Sequence, residues 1–145
     1  MYDTIVVPTD GSEGPCRAVE QAYRLAAAFD ATVHALYVVD ETFPAHSHYD
    51  VVRENMEDTG ESAVERIESN APEGVTVEKV FLTGVPHEEI IAYAEDHDAD
   101  LIAMGTNGRT GLSRFVAAGS TTERVVRASP VPVLTARRDD PTADE

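Results

Sequence analysis

Five short apolar runs alternate along the chain with four segments of helical periodicity. Apolar runs of this length between turn residues are typical of buried strands, and strands that alternate with helices form a parallel sheet covered by helices on both faces. We therefore predict an α/β fold, a single-domain, open, parallel five-stranded sheet of order 3-2-1-4-5. The predicted strands are residues 4–10, 32–39, 75–82, 101–104 and 131–136. The first predicted helix ends near residue 29, and the other three cover about residues 51–69, 87–97 and 121–128.

One domain accounts for the length of the chain. With 145 residues and 42% hydrophobic content, it is long enough to bury one core. We assign residues 1–138 to this domain and residues 139–145 to a flexible acidic tail. The first residues run directly into a strand, no stretch approaches the roughly 18 apolar residues that span a bilayer, and Cys16 is the only cysteine. These features predict a cytoplasmic protein with no internal disulfide.

The net charge is strongly negative. Its formal value is −16, from 27 acidic and 11 basic side chains, and Lys79 is the only lysine. Because salt screens the self-repulsion of such a surface, the composition suggests a halophilic protein from a cell with a salty interior. It argues against binding to nucleic acid or to an anionic membrane, since both require positive charge.

A glycine-rich segment follows the fourth predicted strand. It contains Gly105 and Gly108, and it ends at Gly119 and Ser120, where the fourth predicted helix begins. Glycines let backbone N–H groups approach an anion closely, and a helix N-terminus adds partial positive charge. A strand, a glycine loop and a helix start in this order indicate a phosphate site.

The same segment also fits a purely structural interpretation, because Ser120-x-x-Glu123 is a capping box that would serve an ordinary crossover loop. The fold rule favours the phosphate site. In a sheet of order 3-2-1-4-5, ligands bind beyond the carboxyl ends of strands one and four, where the winding reverses. The sequence places Asp10 at the end of strand one and Gly105 at the end of strand four.

Arginines are concentrated around this segment. Arg109, Arg114, Arg124 and Arg127 fall within nineteen residues of an otherwise acidic chain. They either compensate the global negative charge or hold positive potential where an anion binds, and we favour the second interpretation.

Several catalytic motifs are missing from the sequence. It contains no Gly-x4-Gly-Lys-Ser/Thr, no Gly-x-Gly-x-x-Gly after the first strand, and no Gly-x-Ser-x-Gly. Asp10 could be the phosphate acceptor of a receiver domain. Such a domain would also need an acidic cluster on strand one and a lysine after the last strand, and this chain has neither. We identify no catalytic constellation.

The histidines give weak signals. His46, His48 and Asp50 have the spacing of metal ligands, but their position on a polar loop argues against a metal site. His34, within the second strand, is expected to be a packed core residue, whereas His87 and His97 bracket helix three and are expected to cap it or contact solvent.

Nearly the whole chain resembles the universal stress protein family. The similarity runs from Ile5-Val-Val-Pro-Thr-Asp10-Gly-Ser to Pro130-Val-Pro-Val-Leu134. Its most specific part is the family's ATP-binding signature, Gly-x2-Gly-x9-Gly-Ser/Thr, which here reads Gly105-Thr-Asn-Gly108, then ten residues, then Gly119-Ser120. The segment is therefore one residue longer than the family pattern.

The resemblance implies an adenine nucleotide alpha hydrolase-like domain that binds ATP with Mg²⁺ or Mn²⁺. It implies that Asp10 contacts the ribose region and that the backbone of Val38 reads the adenine edge. It also implies a homodimer formed through strand five, from Val131 to Ala136. The implied nucleotide-binding residues are Pro8, Thr9, Asp10, Val38, Met104, Gly105, Gly108, Arg109, Gly119, Ser120 and Thr121.

Three functional hypotheses follow. The first is an ATP-binding stress-response regulator or binding module with at most slow ATP hydrolysis, because no general base is identifiable near the loop. The second is a family member that binds no nucleotide and acts through protein contacts, which the extra loop residue supports. The third, a nucleotide-activating ligase, lacks the base or nucleophile it would need.

Overall fold

The computed structural model describes residues 2–10, 17–40, 49–106 and 121–137. Within them, five parallel strands form one sheet in the order β3-β2-β1-β4-β5, which confirms the predicted topology. None of the helices in these ranges is long and apolar enough to cross a bilayer. The elements are β1 (Thr4–Pro8), α1 (Arg17–Phe29), β2 (Thr32–Asp40), α2 (Tyr49–Asn70), β3 (Thr76–Gly84), α3 (Pro86–Asp96), β4 (Leu101–Thr106), α4 (Thr121–Ala128) and β5 (Val133–Arg137).

Each face of the sheet carries one layer of helices. Alternate residues of a strand point to opposite faces, so the central strands β1, β2 and β4 are apolar on both sides. One core lies beneath α1 and α2, and the other lies beneath α3 and α4. Strand β3 is the most solvent-exposed of the described strands, as its alternating sequence predicts, and it is an edge strand of the sheet.

All five strands differ from their predicted bounds by one or two residues, and β2, β3 and β4 each end later than predicted. β1 ends at Pro8 instead of Asp10, although the Thr9 amide still donates to the Leu36 carbonyl at 2.9 Å. β5 begins at Val133, two residues later than predicted. The reason is a tight turn in which the Ser129 hydroxyl contacts both the amide and the carbonyl of Val131.

After each of the helices α1 and α3, the chain returns to the sheet through the same type of turn. Asp30 and Asp98 follow these helices with positive φ angles of 58° and 51°, a conformation that aspartate tolerates better than most side chains. The alanine after each aspartate then donates to the helix, Ala31 to Ala26 at 3.0 Å and Ala99 to Ala94 at 2.8 Å. Both turns therefore direct the chain into the amino end of the next strand.

Asp100 joins β4 to β1 at this amino edge. Its carboxylate accepts hydrogen bonds from the amides of Asp3 at 2.7 Å and Thr4 at 3.1 Å, and these bonds lower its pKa below the ordinary value. Because the carboxylate is the form that accepts both bonds, this stabilisation is complete above pH 3.8 and is lost as the pH falls through the lowered pKa.

We expect Asp100→Asn to lower the free energy of unfolding at pH 7 by about 1 kcal/mol, a value reduced because the charged acceptor is only partly buried. Thermal unfolding from pH 7 to pH 3 checks this. Asp96→Asn, which removes the same charge at the end of α3, is the control and should stay within about 0.5 kcal/mol of wild type. The assignment would be contradicted if the difference in free energy of unfolding between wild type and Asp100→Asn did not decrease below pH 4.

Candidate functional site

The carboxyl ends of β1 and β4 lie side by side in the centre of the sheet. The two strands pair in parallel through Ile5 with Leu101 and Val6 with Ile102. After β1 the chain continues to α1 on one face, and the helix that follows β4, α4, packs on the other face. A crevice beyond the strand ends is the expected ligand position in such a sheet.

β1 brings three predicted site residues to this edge. Pro8 is the last residue of the strand, and Thr9 extends beside β2 through its bond to the Leu36 carbonyl. Asp10 follows and is exposed. The structure therefore places these three residues together at the end of the strand.

Val38 lies near the carboxyl end of β2, with its side chain buried beneath α3 in the core that also holds Leu36. Backbone groups alternate along a strand, so the amide and carbonyl of Val38 point to the same side as those of Leu36. That side is the one where β1 lies, because the Leu36 carbonyl bonds to Thr9. The backbone of Val38 thus faces the β1 side of the crevice edge.

β4 and α4 are joined at the same edge. The Thr122 hydroxyl donates to the Gly105 carbonyl at 3.0 Å, while Met104 is buried and Thr121, the first residue of α4, is half-buried. This bond holds the first turn of α4 against the carboxyl end of β4. The sequence analysis missed Thr122; the signal was a second hydroxyl residue in the first turn of the helix after the glycine segment.

The remaining predicted site residues, Gly108, Arg109, Gly119 and Ser120, lie outside the described residues, as do the possible metal ligands His46 and His48. Among the residues that the structure describes, no group of three or more histidine, cysteine or acidic side chains is arranged to hold a metal ion.

Two of the four clustered arginines lie on the described α4. Arg127 contacts Glu123 at 3.2 Å in an exposed pair four residues apart on the helix. Such surface pairs contribute little to stability. For Arg127, this contact favours the structural interpretation over an anion-binding one.

Two carboxylates near the carboxyl end of β2 influence Tyr37. The pKa of Tyr37 is raised mainly by burial, and further by the negative charges of Asp10 and Asp40. Carboxylates accept hydrogen bonds from hydroxyl groups, whereas backbone amides at a helix start favour anions. Near β1 and β2 this end of the sheet therefore carries carboxylate acceptors, and near β4 it carries the first turn of α4 with the partial positive charge of a helix start.

Comparison with known proteins decides the family. The sequence profile of the universal stress protein family matches residues 1–137. The chain belongs to the universal stress protein family. Universal stress protein MJ0531 of Methanocaldococcus jannaschii is 40% identical over 143 residues, which cover 95% of this chain and 84% of that protein.

Solved structures of universal stress proteins share the fold. UspA from Lactobacillus plantarum superposes with a TM-score of 0.76 at 30% identity, covering 92% of this chain and 97% of that one. A universal stress protein crystallised in complex with cAMP has a TM-score of 0.73 at 25% identity, covering 95% of this chain and 99% of that one.

Proposed function

We propose that this universal stress protein binds ATP at the edge between β1 and β4 and acts as a nucleotide-dependent regulator or binding module in a cytoplasmic stress response. The observation that carries the proposal is the 3.0 Å bond from Thr122 to the Gly105 carbonyl. These residues bracket the glycine-rich segment, so the bond keeps its two ends together even though the segment has one residue more than the family pattern.

The residue roles follow from the two chemistries of the edge. Asp10 is assigned to the ribose hydroxyls, and the Val38 backbone is assigned to the adenine. Pro8, Thr9 and Met104 are assigned to the region between them. The phosphates are assigned to Gly105, Gly108, Gly119 and Ser120, with Arg109 and Thr121 close by. A related universal stress protein was crystallised in complex with cAMP, which supports the binding of an adenine nucleotide by this family.

Mg²⁺ or Mn²⁺ would accompany the triphosphate, since magnesium is usually held by phosphate oxygens and water with few protein ligands. We assign no side chain of this chain to the metal. Any hydrolysis of ATP is expected to be slow, because the edge presents no assigned general base. A homodimer through the edge strand β5 remains part of the proposal.

The second candidate is a universal stress protein that binds no nucleotide and acts through protein contacts. The extra residue between Gly108 and Gly119 favours it. Under this candidate, the Thr122 bond serves only to fix α4 on the sheet.

Calorimetric titration of the purified protein with ATP and Mg²⁺, in molar KCl, tests the proposal. We expect micromolar or tighter binding. Thr122→Val should weaken it about fivefold to tenfold, the effect of one lost hydrogen bond, because the first turn of α4 is no longer tied to Gly105. Thr122→Ser keeps the hydroxyl and should bind like wild type. No measurable binding by a protein that circular dichroism shows to be folded would contradict the proposal and favour the second candidate.

A further inference from the structure

A chain of three aromatic side chains joins β2 to the end of α3. His34 is buried on β2, and its Nδ1 shares a hydrogen bond of 2.6 Å with the Tyr93 hydroxyl. The Tyr93 ring stacks on His97 with centroids 3.9 Å apart. His97 Nδ1–H in turn donates to the Tyr93 carbonyl at 3.0 Å. Tyr93 is therefore bonded both to the sheet and to the residue that caps α3. We call His34, Tyr93 and His97 the β2–α3 cluster.

The groups that face His34 come from three elements. Strand β3 places Glu78 beside it in register. Helix α3 supplies Tyr93, and the C-cap residue of this helix is His97, whose ring centroid is 6.0 Å from that of His34. Strand β1 places the apolar Val6 on its other side. The helices α1 and α2 pack on the opposite face. Glu78 is the one described acidic group that favours a positive charge on His34, and it is exposed.

Protonation changes what His34 can bond. The neutral imidazole has one donor and one acceptor nitrogen, whereas the protonated ring has two donors. A charge at this position must be buried and must lie close to His97. Burial is the largest cause and lowers the pKa of His34 below its ordinary value of 6.5; the charge of Glu78 raises this pKa by less, and repulsion from His97 lowers it by a smaller amount still.

We propose that the β2–α3 cluster is a proton-sensitive latch, closed when His34 is neutral and released when His34 takes up a proton, so that acidification frees the last turn of α3 from the sheet. The latch lies at the amino edge, opposite to the proposed nucleotide site, and it does not depend on nucleotide binding. It gives a stress protein a response to internal acidification that is built into the fold.

The direction follows from linkage. His34 has its ordinary pKa when α3 is released and a lower pKa when α3 is packed, so the released state binds more protons. The latch is therefore stable above pH 6.5 and weakens as the pH falls below it. Between pH 7 and pH 5, the equilibrium constant for release rises by up to roughly 25-fold, the limit at which only the released form binds the proton.

Native-state hydrogen exchange at pH 7 and pH 5 tests the latch in the full chain. Protection factors, which remove the intrinsic effect of pH on exchange, are compared for amides of α3 and of α1, which packs on the other face. We expect α3 to lose up to roughly 25-fold protection while α1 loses much less. Equal losses in the two helices would overturn the proposal, because they would report a global loss of stability.

Variants assign the effect to His34. His34→Gln keeps a neutral partner for Tyr93 and should abolish the selective loss in α3. His87→Gln removes another histidine of α3, outside the cluster, and should leave the loss unchanged. Should His34→Gln fail to fold, Tyr93→Phe keeps the stacked ring without the hydroxyl, and it should lower α3 protection roughly fivefold already at pH 7. A selective loss that persists in His34→Gln, or a Tyr93→Phe variant as protected as wild type, would overturn the proposal.

Discussion

Replacing Gly60 with alanine is expected to lower the free energy of unfolding by about 2 kcal/mol and the melting temperature by roughly 4 to 8 °C. Gly60 lies inside α2 and is buried against the ring of Tyr37 on β2. A Cβ atom at this position would overlap Tyr37 Cγ, Cδ2 and Cε2. Since Cγ is fixed close to the backbone, the ring cannot swing away without a change of its rotamer or a shift of α2.

The estimate combines two opposing terms. Overpacking of this kind typically costs 1–3 kcal/mol, and the overlap with three ring atoms places Gly60→Ala at about the upper end. Alanine also gains about 1 kcal/mol of helix propensity over glycine. The overlap is therefore expected to outweigh the propensity, and Gly60→Ala should destabilise a helix that alanine normally favours.

A double-mutant cycle with thermal or urea unfolding checks this prediction. In a Tyr37→Ala background the ring is gone, so Gly60→Ala should become stabilising by about 1 kcal/mol. Ser62→Ala, at an exposed position of the same helix, serves as the control and should change stability by less than about 0.5 kcal/mol. The same cost of Gly60→Ala in both backgrounds would show that the ring of Tyr37 is not the cause.

The consequence extends to the candidate site. Tyr37 adjoins Val38 on β2, and the pKa of Tyr37 responds to the charge of Asp10. A shift of Tyr37 caused by a side chain at Gly60 would therefore move the end of β2 where the adenine is proposed to bind. Gly60 is thus a packing residue whose replacement should disturb both the core and the edge.

Much of the fold could be predicted because its signals are local. Apolar runs separated by helical patterns led to the parallel sheet, and the wet alternation of β3 agrees with its edge position. The burial of His34 followed from its place inside an apolar strand, and this prediction is confirmed. The bounds of α4 are also as predicted.

The missed features all depend on contacts between distant parts of the chain. A glycine within a helical pattern reads as a weak point until the structure brings Tyr37 against Gly60. Thr122 bonds to a residue 17 positions earlier, and His34 bonds to a residue 59 positions later. No periodicity or motif records such pairs, because they are fixed only when the helices pack on the sheet.

The second large effect concerns the glycine loop. Replacing Gly119 with valine is expected to weaken ATP binding at least 100-fold. The proposal places backbone N–H groups of Gly119 and Ser120 against the phosphates, and a β-branched side chain would fill the space that the anion needs. Under the second candidate function, the same change would leave the activity of the protein unaltered.

Calorimetry in molar KCl with ATP and Mg²⁺ measures the effect, and circular dichroism verifies that the variant is folded. Gly74→Val is a matched control. It lies in the turn before β3, at the amino ends of the strands and opposite to the proposed nucleotide site. Its φ of +93° makes the valine strained, but no atom lies within 4 Å of the added Cβ. This control should therefore lose stability and keep its affinity. If Gly119→Val also keeps the affinity of wild type, ATP binds elsewhere on the protein, and the glycine segment is only the crossover from β4 to α4.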